Sequence, residues 1–188
     1  VTLRATRHFT NNSSNFAIGA KAGDVVINEL VWQGNIKSGA DEWFELRNMT
    51  SQAIDFSVTP WRLQFGTTNL KITAGVLAAN GYFLIADHTT NSATSMLAVV
   101  PDLTNANKIN ILGAGSLNSF AILRDNTNMT VPGNLIDQAD TSSTTWAGGY
   151  DGFIVDASMA RKNTPGDGTV NSNWVSSTAH ANLLWVDG

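Results

Sequence analysis

The sequence predicts an all-β sandwich, and three observations carry the prediction. Short apolar or alternating segments recur along the chain, with turn signals at roughly 8–15-residue intervals. The Ala/Glu/Lys/Leu mixture that favours helices is thin, while Thr, Asn, Ser and Gly are abundant. The 188 residues are 43% hydrophobic, which is enough for one domain with a full core.

The elements follow in order. Residues 1–22 read as an N-terminal arm or leading strand with a polar loop at Asn11 to Asn15, and residues 23–188 as the sandwich domain. Gly23 to Trp32 (GDVVINELVW) is β-branched and bounded by glycines. In Glu42 to Asn48 (EWFELRN), Phe44 and Leu46 fall on one face and Trp43, Glu45 and Arg47 on the other. Ala53 to Phe56 is a short strand. Trp61 to Phe65 (WRLQF) alternates again, with Trp61, Leu63 and Phe65 sharing a face. Asn69 to Ile72, Tyr82 to Asp87, Ser119 to Asp125 and Asn134 to Asp140 continue the series, and Ala79-Asn80-Gly81 marks a turn. Asn91 to Val100 is expected to form one or two helical turns capped by Ser92 or Ser95. The strand order across 87–118 stays open.

Charge and composition exclude several classes of function. The net charge is −4 and no Lys/Arg run occurs, so the electrostatic footprint for nucleic acid is missing. No stretch approaches the ~18 apolar residues of a membrane span, so insertion is not expected. The chain has no Cys, which removes disulfides and thiolate chemistry. A Cys-free, Thr/Asn-rich, weakly acidic chain points to an extracellular or cell-surface setting.

Several residues then carry a family likeness. Ile27-Asn28-Glu29-Leu30, then Asp41-Glu42-Trp43-Phe44-Glu45-Leu46 with Asn48, then Ile54-Asp55-Phe56-Ser57, then Trp61 and Leu63 resemble the opening of bacterial and archaeal lamin-tail domains. Ser158 to Trp174, with Arg161, Asp167-Gly168 and Asn173-Trp174, is similar to the family's closing segment. The likeness spans about Gly23 to Trp174. Val58-Thr59-Pro60 stands where the family has Gly before Trp, and the region from Asp87 to Asn118 is longer than usual. The resemblance implies an immunoglobulin-like fold in which Asn28, Glu29, Glu42, Trp43, Glu45, Asn48, Trp61 and Trp174 are structural.

Candidate chemistry is sparse. Glu29, Asp41, Glu42 and Glu45 sit close in sequence on neighbouring strands. Such carboxylates can bind Ca²⁺ through oxygen ligands or form a hydrolytic pair; the competing reading has Glu29 and Glu42 accepting hydrogen bonds from backbone, Arg47 or Arg62. Glu29, Asp41, Glu42 and Asp167 are therefore candidate Ca²⁺ ligands, Ca²⁺ being the one cofactor considered. The segment Asn163 to Trp174 echoes an EF-hand loop, but aligning Gly168 with the invariant glycine puts Pro165 at a ligand position and Trp174 where the acid is needed. His8, His88 and His180 are widely separated, and no nucleophile elbow accompanies them.

Of the six tryptophans, Trp32, Trp146 and Trp185 lie beside Gly or polar loops and are candidate ligand-contact aromatics, since exposed Trp stacks on sugar rings. The expectation is a non-catalytic extracellular interaction or adhesion module with a protein or glycan partner. Alternatives are a surface-fibre or layer subunit that self-associates by terminal strand exchange, a hydrolase-associated carbohydrate-binding module, and a hydrolase using Glu29 or Glu42 with Asp41.

Overall fold

A computed structural model describes residues 19–90, 92–104, 109–111, 120–140, 145–151 and 156–177. The strands are β1 (Val25–Val31), β2 (Trp43–Asn48), β3 (Ile54–Asp55), β4 (Trp61–Phe65), β5 (Thr68–Ile72), β6 (Val76–Leu77), β7 (Tyr82–Ala86), β8 (Leu103–Thr104), β9 (Ala121–Arg124), β10 (Leu135–Ala139), β11 (Ser158–Arg161) and β12 (Trp174–Ser177). They form a six-stranded sheet of order β12-β11-β1-β2-β7-β8, a four-stranded sheet of order β10-β9-β4-β5, and the small pair β3-β6. All pairings are antiparallel except β7 with β8.

The alternation dictates how the sheets stack. Leu30, Phe44 and Ile85 lie in register on the inner face of the large sheet, and Trp61, Leu63 and Phe65 point inward from the small one. The two faces meet where the Phe44 and Phe65 rings lie 5.1 Å apart. Phe56 packs edge-on against both Trp61 and Phe83, closing the core beneath β3. Two-sided burial of this kind lets short strands stack without helices. Ala20 is already part of the core, so packing begins ahead of Gly23. Asn80 turns the chain with φ 50° ahead of β7, a backbone region that Asn tolerates better than other side chains.

The outer face of the large sheet carries a second apolar cluster. Val31, Trp43, Leu84 and Ala86 are covered by Leu97, with Val99 alongside. Their cover comes from the connection between β7 and β8. The expected helical turns in Asn91 to Val100 are not found: residues 92–100 are bends and coil with a single bridge residue at Leu97, and the one helical element among the described residues is a 3-10 turn at Asn171–Asn173. Ser92 does act as a cap, its hydroxyl accepting from the Thr94 and Ser95 amides, but it closes a turn and not a helix. Burial of Leu97 and a carboxylate acceptor for the Met96 amide draw the segment onto the sheet instead.

Candidate functional site

The end of the large sheet at Val31 and Trp43 holds four of the residues singled out from the sequence, Trp32, Asp41, Glu42 and Trp43. Asp41 and Glu42 immediately precede β2, and Asp87 immediately follows β7, its neighbour. All three are buried, at 1%, 6% and 1% exposure. Each accepts a backbone N–H from the long connection: Asp41 from Met96 at 3.0 Å, Glu42 from Ile111 at 2.7 Å and Asp87 from Ile109 at 2.9 Å. Asp41 also accepts from the Asn35 side-chain amide, which holds the β1–β2 loop. The three acidic side chains thus tie Met96, Ile109 and Ile111 to the strand ends through acceptor oxygens, which a carboxyl group offers in either protonation state.

This density of buried acid shifts titration. Burial, and then the Asp87 charge, push Glu42 up to about 8 against the pull of the Ile111 amide. Burial likewise raises Asp41. Glu42 is therefore mostly neutral at pH 7, which removes a like charge beside Asp87.

Next to the clamp, Trp32 is half-buried and donates its indole N–H to the Gly148 carbonyl at 3.2 Å. Gln33 donates to the Ala157 carbonyl at 2.8 Å and to that of Tyr150. Trp146 is not a surface aromatic: it is 8% exposed and belongs to the main core. Trp185 lies outside the described residues. Ile36 and Tyr150, at 68% and 44% exposure, are large side chains exposed on the loops beside Trp32 and Gln33.

The four candidate Ca²⁺ ligands are not brought together. Glu29 sits within β1 and accepts the Ser158 hydroxyl. Asp167 lies at the far end of the molecule, exposed, with its carboxylate on the Thr169 amide and hydroxyl. Among the described residues, no group of three or more His, Cys, Asp or Glu side chains is arranged to hold a metal ion. The arginines considered as partners for Glu29 and Glu42 point elsewhere, Arg47 to the Asn163 carbonyl and Arg62 to that of Asn128.

The remaining motif residues act locally. Asn28 is the extra residue of a bulge in β1 and donates to Glu45 at 2.7 Å. Asn48 donates to the Gln52 and Ala78 carbonyls and accepts from Thr50, organising two loops. Trp43 fills the outer cluster, and Trp61 the core.

At the far end, Arg161 is the residue that spacing alone does not single out. It is buried and bridges Asp137, the Ile27, Gln138 and Gly166 carbonyls, and the Trp174 ring. Burial pushes Asp137 up to about 6, against the Arg161 charge and the Ile27 amide. An open groove of about 650 Å³ borders this ion pair, lined by Gly23, Val26, Met49, Asp137 and Thr164 among others.

No known protein-family model matches the chain. No curated protein matches it either.

Proposed function

We propose that the chain is a non-catalytic, extracellular interaction or adhesion module of the lamin-tail type, offering the loop end around Trp32, Ile36 and Tyr150 to a protein or glycan partner. The observation that carries this reading is the carboxylate clamp. The acids best placed for catalysis are shut away from solvent and engaged with backbone amides. An acid or base must instead come within reach of the proton it transfers, whereas loops used for recognition benefit from being held rigid beforehand. The pairing of the INELVW and EWFELRN segments as adjacent central strands supports the lamin-tail likeness.

The test is the mass of the purified chain across concentration, with and without Ca²⁺, followed by a glycan and protein-partner screen. A monomer whose binding is lost in Ile36→Ser or Tyr150→Ala with unchanged stability is the expected result. Growth into large species dependent on residues 1–22 would replace this reading with the fibre subunit. Hydrolysis abolished by Glu42→Gln without loss of stability would replace it with an enzyme.

A further inference from the structure

A row of three cations crosses the outer face of the four-stranded sheet. Arg62 on β4 stands directly opposite Lys71 on β5 and, on its other side, directly opposite Arg124 on β9. Directly paired residues share a face, and adjacent strands lie about 4.8 Å apart, so the row spans roughly 10 Å. Leu63, Leu70 and Leu123, beside these cations along their strands, are buried in the core. The row therefore faces away from the interior.

Like charges directly opposite one another repel, yet among the described residues none of the three forms an ion pair with a carboxylate. The hydrogen-bond partners of the two arginines are neutral. Arg62 donates to the Asn128 carbonyl at 3.2 Å and touches the Met129 sulfur, and Arg124 donates to the Gly133 carbonyl at 2.9 Å. Both carbonyls belong to the β9–β10 connection, which arches over Arg62 and leaves it 3% exposed. The Arg62 Nε–H is buried and has no hydrogen-bond partner among the described residues. Burial, and then the Arg124 charge, press the Arg62 guanidinium below its ordinary value. The carboxylate nearest along the chain, Asp125, accepts the Asn134 amide. The next row on the same face adds the amides of Gln64 and Asn69.

Adjacent guanidinium forks with a free buried N–H and no counter-charge match the planar, multidentate geometry of an oxyanion. We propose that Arg62, Arg124 and Lys71 form an oxyanion-binding site for a phosphate, sulfate or carboxylate group. The group bridges the two arginines, with Lys71 at the open side. This site is separate from the loop end and does not depend on the function proposed for it.

The experiment titrates the whole chain with sodium sulfate and sodium phosphate, against sodium chloride at matched ionic strength. It follows the arginine Nε–H resonances of Arg62 and Arg124 by NMR, together with the thermal midpoint. Sulfate and phosphate raise midpoints non-specifically by exclusion from protein surfaces, so saturation and site dependence decide. The expected result is a saturable shift of the Arg62 and Arg124 resonances with either oxyanion, at least tenfold weaker in Arg124→Gln and in Lys71→Gln. Lys162→Gln, an exposed cation elsewhere, should leave it unchanged. Both site variants should keep the wild-type midpoint in chloride, which separates lost binding from lost fold. Resonances that do not move, or move equally with chloride, overturn the proposal, as does equal affinity in Arg124→Gln. Dextran sulfate against neutral dextran distinguishes the source: tighter binding per sulfate than the free ion assigns the group to an acidic polymer, and equal binding to the free ion.

Discussion

The guanidinium of Arg161 lies 4.3 Å from the centroid of the Trp174 ring, and the same indole donates its N–H to the Gly168 carbonyl at 2.8 Å. Through this stack, two residues of neighbouring strands fix a loop that packs against β10 at Gln138. The arginine's charge is matched by Asp137, itself on the Ile27 amide.

Arg161→Leu should cost about 3–5 kcal/mol, because it strands a buried carboxylate. The double variant Arg161→Leu/Asp137→Asn should be less destabilised than the single one, since a side-chain amide at that position keeps an acceptor for Ile27 without a charge. Urea unfolding at pH 7 measures both. Equal losses would locate the effect in the carbonyl and Trp174 contacts instead of in the stranded charge.

Glu42 sets a pH dependence with a definite sign. Its folded pKa of about 8 stands above the ordinary value of 4.5, so between those values the native state binds more protons than the unfolded chain. Stability must then fall as pH rises through that window. Asp137, raised from 3.8 to about 6, adds a fall of the same sign at lower pH. Glu42→Gln keeps an acceptor for Ile111 and removes the charge. It should gain on the order of 4 kcal/mol over wild type at pH 9 relative to pH 5. Denaturant titrations from pH 5 to 9 read the difference, and parallel curves for the two proteins would exclude Glu42 as the source.

Gly168 is required by close approach. A Cβ there would lie 1.7 Å from the Gln138 carbonyl oxygen and 2.4 Å from the Arg161 guanidinium. Gly168→Ala should cost about 3 kcal/mol by forcing the loop off the sheet. Gly39→Ala, where the nearest atom is 3.9 Å away, should stay within about 0.5 kcal/mol of wild type. Thermal unfolding of the pair is sufficient to compare them.

The connection between β7 and β8 is expected to behave as part of the fold. Leu97 is fully buried against Trp43 and Leu84, so Leu97→Ala should cost about 2–4 kcal/mol. Val100→Ala, at 73% exposure, should be close to neutral. A neutral Leu97→Ala would show that the segment can lift off without loss.

The strands with strong alternation are legible in the sequence. β2 and β4 lie within one residue of their expected bounds, and the residues grouped on one face, Phe44 with Leu46 and Trp61 with Leu63 and Phe65, lie together in the main core, because alternating residue type leaves a direct mark on residue order. β6, β8, β11 and β12 are not legible in this way: three are two to four residues of mixed character, and Trp174–Ser177 follows a turn-rich loop that hides its extended backbone. The described part of the segment 92–111 defeats a periodicity reading because its buried apolar positions, Met96, Leu97, Ile109 and Ile111, follow no period; side-chain acids hold the amides of Met96, Ile109 and Ile111, and the Ser95 hydroxyl that of Leu97. Asp41 and Glu42 stand out as candidates in the sequence, but Asp87, the third arm of the clamp, does not. The basic row is invisible for another reason. Positions 62, 71 and 124 become neighbours only through the registers of two strand pairings.

The position of β1 has a consequence for how the chain reaches this state. The strand is among the first of the described elements, yet it lies in the interior of the large sheet, with β2 on one side and β11 on the other. The Arg161 contact that secures the second side reaches back 134 residues to Ile27. Contacts of such separation form late and slow folding. During synthesis, the β1 edge that β11 will cover stays bare until nearly the whole domain has been made. An apolar edge left open for that long is a template for wrong pairing between chains. Truncation before Ser158 would therefore expose the middle of the sheet to aggregation, whereas trimming β12 would leave β1 paired on both sides and remove Trp174 from the core.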